Sequence, residues 1–508
     1  MSNYRWKSVN EVHNKALSAI NKPIRDLVSS ETLQKYHDKP NNKGWIGNSI
    51  ESDWFYVPNN SRNEADIPYL DLEIKVTPIK MTKAGWSAKE RLVLNIFDFH
   101  DEINRTFENA SFLEKANQIE LMYYEHIEGA ISPDLIIKNA LTLDLKELPY
   151  EDLLIIRNDW LTITDMIKQG KAEELSDSLT QYLGATTKGS KTEANMTTQP
   201  FSDVKAHRRS FTLKTCYMTS LARKYMDEDY ISGEKLITNT KELEVRSFED
   251  IIKDKFTPYI GKSKNELAKI FDVIIPDKND KASSRIIANK MLNLNGDADQ
   301  TEEFEKANIA LKIVTVDTRG KKKVNKTTEG FKLQNWTADF TNVDEQFEES
   351  RLYEYLTETK FLLAVYEITD SDEIFKGVKF WRMPLNHIEN EVKRVFEDTK
   401  RKIKEGVILT YKEGKNTNSY TVSNNFMKIS HNLIVHVRPD AVKRSYVEDS
   451  NAMYLDTPFN WINKPTDQDD VLSSHYMTKQ AYWINPSYMF SAVSSLLTAP
   501  SKIEKKNT

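Results

Sequence analysis

Four stretches of this chain recur further along it in the same order, and a duplication on that scale restricts the fold more than any single pattern. "LDLEIKVTP" (70–78) returns as "NIALKIVTV" (308–316), and "KANQIELMYYEHI" (115–127) as "TETKFLLAVYEI" (357–368). "IKQG" (167–170) returns as "IKEG" (403–406) at the end of a helical pattern, and "SFTLKTCYM" (210–218) as "AYWINPSYM" (481–489). A chain of 508 residues exceeds one ordinary domain. The repeat therefore predicts two similar domains, at 1–226 and 249–495. A polar, aperiodic linker at 227–248 separates them, and a frayed tail spans 496–508. Each half reads as mixed α/β: a helix, a strand hairpin, a strand, a helix, then short strands and a closing helix.

Within the first copy, residues 69–80 read "YLDLEIKVTPIK". Leu70, Leu72, Ile74 and Val76 alternate with Asp71, Glu73, Lys75 and Thr77, the period of a strand with one face in a core. Residues i and i+2 share a face about 7 Å apart, so Glu73 and Lys75 are neighbours with the Ile74 carbonyl between them. Seven residues upstream is Asp66, in "NEADIPYL", where Pro68 favours a turn into the strand. A third carboxylate, Glu51, closes the helical segment "KGWIGNSIE".

Two readings of this set compete. A solvent-facing Glu73–Lys75 pair would contribute under about 1 kcal/mol and mean nothing more. The pattern also recurs at Glu358/Lys360, Glu391/Lys393 and Glu413/Lys415. Two carboxylates and a carbonyl also form a hard-oxygen nest for Mg²⁺, and a lysine beside it can hold an attacking water or steady phosphorane-like charge. Asp66 and Glu51 favour the second reading.

Other chemistries lack their residues. "PYIGKSKNE" (258–266) contains Gly-Lys-Ser, but Phe256 stands where a phosphate loop needs its first glycine. No Cys/His spacing suggests zinc and no nucleophile elbow stands out. The single cysteine, Cys216, rules out an intramolecular disulfide, and "MSNYRWKSVN" carries no apolar leader core. With no run long enough to span a membrane, the expectation is a soluble cytoplasmic protein. A net charge of −5 does not announce a nucleic-acid binder, although a local basic groove matters more than the total.

"NKGWIGNSIE…NEADIPYLDLEIKVTP" resembles the motif of the MutH-like nucleases, a branch of the PD-(D/E)XK fold. That branch includes a mismatch-repair nicking enzyme and two-domain type II restriction endonucleases that cut GATC. "KERLVLNIF" (89–97), "WINKP" (461–465) and "MTKQAYWIN" (477–485) extend the likeness across almost the whole chain. The resemblance implies two tandem restriction-endonuclease-fold domains of mixed α+β class, the second a degenerate copy. It implies a Mg²⁺-dependent site-specific deoxyribonuclease acting on double-stranded GATC, cutting 5′ of the guanine. The implied metal ligands are Asp66, Glu73, the Ile74 carbonyl and the additional acid Glu51, with Lys75 catalytic. Lys115 falls where the family carries a further basic residue, although Glu114 replaces the histidine often found before it. A DNA methyltransferase acting on the same sites is the implied companion.

In the second copy Ala310 stands at the Glu73 position, Lys312 at that of Lys75 and Glu303 at that of Asp66, while Thr357 falls near the Lys115 position. Alanine ligates no metal, so this copy is expected to bind DNA and regulate without cutting. The resemblance places a recognition loop between the "IKQG" helix and the last shared strand. Here that is "QYLGATTKGS" (181–190) with Lys188, and its counterpart "IVHVRPDA" (434–441) offers Arg438 for guanine and Asp440 to accept or to orient Arg438. Lys43, Gly44 and Lys214 are further candidates for DNA contact, and for each lysine a solvated side chain is the competing reading. "RGKKKVNK" (319–326) reads as a hairpin turn ahead of a phosphate-contacting loop. GATC is a palindrome, so one competent site per chain implies self-association on DNA or two successive nicks. A strand-nicking repair enzyme and a non-catalytic GATC-binding regulator are the alternatives. The duplicated domain argues against the first and the intact Asp66, Glu73 and Lys75 against the second.

Overall fold

The alternating stretch at 69–80 folds as a strand, β1 (Leu72–Thr82), entered through a short 3₁₀ turn at Pro68–Leu70. Asp71 links the two in the left-handed region at φ 53°. A short polar side chain tolerates that conformation where a bulky one does not. The computed structural model describes residues 5–39, 44–58, 64–82, 85–127, 129–189, 193–227, 229–276, 281–319, 327–328, 330–333, 338–370, 372–415, 419–466, 468 and 470–497. Lys43, most of the 319–326 segment and the 501–508 tail lie outside these residues.

The chain forms two compact units. The first comprises residues 1–252 and 294–309, the second 253–293 and 310–508. The division does not fall at 227–248: that polar stretch buries Leu236, Ile237 and Leu243 and includes the helix Glu242–Val245. Isolated apolar anchors in a polar sequence carry no period, which is why it reads as a linker.

In the first unit β1 pairs antiparallel with β2 (Gly85–Ala88). It pairs parallel with β4 (Gln118–Glu125), which pairs antiparallel with β5 (Ile137–Asp144), giving the order β2-β1-β4-β5. A second sheet runs β3-β9-β6 from β3 (Leu92–Phe97), β6 (Leu183–Thr187) and β9 (Arg209–Leu213), with the hairpin β7 (Met196–Gln199)–β8 (Ser202–His207) leading into β9. Leu72 and Ile74 face a core built with Val12 and Ala16 of the helix Val9–Leu17, Trp45, Ile50, Phe55 and Met122. The helix Ser111–Ala116 packs on β3 and β1.

The second unit repeats part of this arrangement, with three strands ordered as β1-β4-β5 and three ordered as β3-β9-β6. One sheet is β10 (Ile309–Asp317), β12 (Lys360–Ile368) and β13 (Glu373–Trp381). Another places β20 (Gln480–Ile484) between β11 (Phe331–Lys332) and β16 (Val435–Pro439). The remaining strands are β14 (Ile408–Glu413), β15 (Tyr420–Asn424), β17 (Ala452–Tyr454), β18 (Asn460–Ile462) and β19 (Tyr476–Thr478). Asn308 precedes β10 at φ 52°, as Asp71 precedes β1. The helices Tyr150–Lys168 and Lys393–Glu405 are each followed by a glycine of positive φ, Gly170 at 69° and Gly406 at 91°. Val316, Leu352, Phe361, Val395, Val435 and Tyr482 lie in the buried core of this unit.

Candidate active site

Glu73 is not on a solvent face. It is 1% exposed, because the helix Ser111–Ala116 covers its side of β1. Its Oε1 accepts a hydrogen bond from the Lys75 ammonium, its Oε2 accepts the Asp66 amide at 3.2 Å, and Lys115 Nζ stands 4.0 Å from Oε1. The Asp66 carboxylate in turn accepts the Ile74 amide at 2.9 Å, so turn and strand lock each other. Burial raises the Glu73 pKa, the Lys75 ammonium opposes that shift and Asp66 adds to it.

Glu51 arrives from the other side. The helix Trp45–Ser49 widens into a π turn over Ile50–Trp54, a form common at functional sites. Burial first, then the Asp66 charge, push the Glu51 carboxyl up to about 7, with Lys75 pulling it back. Three carboxylates facing two lysines are therefore gathered here, and one of the acids resists ionisation.

Among the described residues, no three acidic, histidine or cysteine side chains converge closely enough to enclose an ion by themselves. Asp66 and Glu73 spend oxygens on the Ile74 amide and on Lys75. The donor set still suits a hard cation of the Mg²⁺ kind, which binds through one or two carboxylates and keeps water and substrate phosphate as its other ligands. A divalent cation would favour the ionised form of Glu51, which burial and the Asp66 charge disfavour.

The second unit departs at this point. Ala310 occupies the Glu73 position on β10 and Lys312 keeps the lysine. Thr357 lies three residues before β12, as Lys115 lies three before β4. Glu303 matches Asp66 in count only. It sits in the helix Glu302–Ala307 of the first unit, where its carboxylate accepts the amides of Leu236 and Ile237 at 2.8–3.0 Å.

The DNA-contact candidates separate. Lys188 is exposed just past β6, its amide bonded to the Arg208 carbonyl at 2.8 Å. Gly44 caps the helix Trp45–Ser49, and Lys43 lies outside the described residues. Lys214 is corrected: it is 8% exposed, and its ammonium donates to the Thr180 carbonyl at 2.5 Å beside Asp159 and Asp177. Two buried carboxylates attract it inward, which the sequence "FTLK" does not announce. The Arg438 guanidinium lies 4.5 Å over the Trp483 ring, and Asp440 holds Lys332 at 2.7 Å.

Sequence reasoning also missed several buried acids, Glu120 and Asp159 among them. Glu120 of β4 binds His13 at 3.1 Å and Thr142 at 2.8 Å. Asp159, amid Ile155, Ile156, Trp160 and Ile163 on the helix Tyr150–Lys168, accepts three consecutive amides, Gln181, Tyr182 and Leu183, at 2.7, 2.6 and 2.9 Å. An acid on an apolar helical stripe was the available signal.

The family described as "MutH: DNA mismatch repair enzyme MutH" matches residues 55–159, a span that includes Asp66, Glu73, Lys75 and Lys115. The chain is 38% identical over 506 residues to a curated relative, "Type II restriction enzyme Sau3AI" of Staphylococcus aureus, covering 98% of this chain and 100% of that one. Among the described residues, no helix is long and apolar enough to cross a membrane.

Proposed function

Because this chain belongs to the MutH-like type II restriction endonucleases, we propose that its first unit cuts double-stranded DNA at GATC, 5′ of the guanine, with Asp66, Glu73 and Lys75 at the reacting phosphate. The observation that carries this reading is the buried Glu73, held by Lys75, Lys115 and the Asp66 amide, in a chain whose own copy of the strand has Ala310 instead.

Asp66, Glu73, the Ile74 carbonyl and Glu51 would hold Mg²⁺, which supplies charge neutralisation at the phosphate and a more acidic water. Lys75, fixed by Glu73, orients the attacking water from the same strand face. Lys115 meets the charge that develops on the phosphate oxygens. The 181–190 segment, with Lys188, reads the groove, and Gly44 with Lys43 approaches the backbone. The second unit binds a GATC duplex through Arg438 and Asp440 without cutting it and regulates the first. Two chains meet on the palindrome, or one nicks twice. The setting is the cytoplasm, alongside a methyltransferase that marks the same sites.

The test is digestion of unmethylated plasmid with Mg²⁺, with EDTA, and with Lys75→Ala protein. Fragments ending at GATC only with Mg²⁺ and intact protein are expected. Nicked circles alone would favour the repair-type reading, and retarded but uncut DNA a regulator.

A further inference from the structure

The hairpin β7–β8 turns through Phe201, which is 75% exposed and held at φ 64°. Exposure alone means little, because Ile231 and Val442 are more exposed still. The backbone is what makes Phe201 unusual. A bulky side chain in the left-handed region is a strained choice where asparagine or glycine would serve, and such strain persists only when its surroundings enforce it.

The surroundings do enforce it. Gly170, itself at φ 69°, lies so close that a Cβ there would stand 2.7 Å from the Phe201 carbonyl oxygen. Gln199, buried beneath the turn, accepts the Ala172 amide at 2.7 Å and donates to Glu173 at 2.6 Å and to the Val204 carbonyl at 2.7 Å. The hairpin tip is thus bolted to the end of the helix Tyr150–Lys168, and the ring is still left in water. Past the turn β8 carries the exposed Asp203, Val204 and Lys205, and at the hairpin base the exposed Arg208 accepts the Lys188 amide on its carbonyl at 2.8 Å. An apolar projection at the tip of a rigid hairpin whose base carries the exposed cations Arg208 and Lys188 has the make-up of a groove-reading element, in which cations meet phosphates and an apolar side chain meets bases.

We propose that Phe201 packs against the bases of bound duplex DNA and contributes to site selection. The inference rests on the endonuclease reading above and adds a residue to it. Stacking or wedging of one aromatic on bases typically changes affinity about 5- to 150-fold. The full chain with Phe201→Asn, Phe201→Ala and Phe201→Trp would be titrated with a GATC duplex carrying 2-aminopurine, with Ca²⁺ replacing Mg²⁺. Binding should weaken by about that factor in Phe201→Asn and Phe201→Ala and recover in Phe201→Trp. The melting temperature of Phe201→Asn should be no lower than that of the parent, because asparagine relieves the backbone. A merely structural residue would move stability and binding in the same direction. Unchanged affinity in all three variants, with the parent still cutting GATC, would overturn the proposal and leave the endonuclease reading standing. A parent that neither binds nor cuts GATC would overturn both. Loss of DNA-free self-association in Phe201→Asn, with affinity intact, would make the ring a protein contact and overturn the proposal.

Discussion

Replacing Asp159 by alanine should cost a large part of the stability of the first unit. Its carboxylate accepts the amides of Gln181, Tyr182 and Leu183 at 2.7, 2.6 and 2.9 Å, and the Lys214 ammonium lies close by, bonded to the Thr180 carbonyl. A hydrogen bond to a charged group contributes about 1.5–3 kcal/mol, but three bonds to one carboxylate do not add. The larger effect is what remains: three buried amides without that acceptor and a buried ammonium with only Asp177 left to balance it. Stranding one member of a buried ionic set costs about 3–5 kcal/mol, a large share of the roughly 5–15 kcal/mol that keeps a domain folded. Asp159→Asn keeps one carbonyl and should lose about half as much. Adding Lys214→Met should restore part of the loss by removing a buried charge that has lost one of its two carboxylates. Urea denaturation followed by circular dichroism reads these differences as shifts of midpoint at constant slope. Because residues 181–183 lead into β6 and Lys188, Asp159→Asn should also raise KM for DNA while leaving kcat within about threefold. A loss below about 1 kcal/mol in Asp159→Ala would refute the reasoning.

Other consequences follow from single residues. His436 is 3% exposed beside Arg438, and burial and that charge lower its pKa to about 4 from 6.5. The folded state therefore binds fewer protons than the unfolded one, and this contribution is full above 6.5 and lost as pH falls towards 4. Between pH 7 and pH 5 it should remove about 2 kcal/mol, and His436→Phe should flatten that slope in denaturation curves. Gly170→Ala should destabilise the first unit by about 1–3 kcal/mol in the same assay, since φ is 69° and the new Cβ meets the Phe201 carbonyl at 2.7 Å. Ala310→Glu should not restore cleavage to a Glu73→Ala protein, because Glu303 stays on the amides of Leu236 and Ile237.

The strand at the centre was legible because alternation survives in any context: Leu72 and Ile74 enter the core as their period predicts. The meeting of Asp66, Glu73 and Lys75 was legible as well, since it depends on one short turn and one strand. What failed depends on non-local partners. The inward turn of Lys214 is set by Asp159 and Asp177, which lie 55 and 37 positions away in sequence. Glu303 was aligned by counting, but a helix end and the amides of Leu236 and Ile237 decide where its carboxylate goes. The strain at Phe201 is invisible in sequence, because phenylalanine does not signal a left-handed turn as glycine does.

The most direct measurement is single-turnover cleavage of a labelled GATC duplex by Glu73→Ala and Lys312→Ala proteins, with binding measured in parallel. Glu73→Ala should cut at least about 10³-fold more slowly while still binding, because a lost charge-stabilising group at a reacting centre has effects of that order. Lys312→Ala should cut at the parent rate. Rapid cutting by Glu73→Ala, or its loss in Lys312→Ala, would mean that the bond is broken elsewhere than on β1.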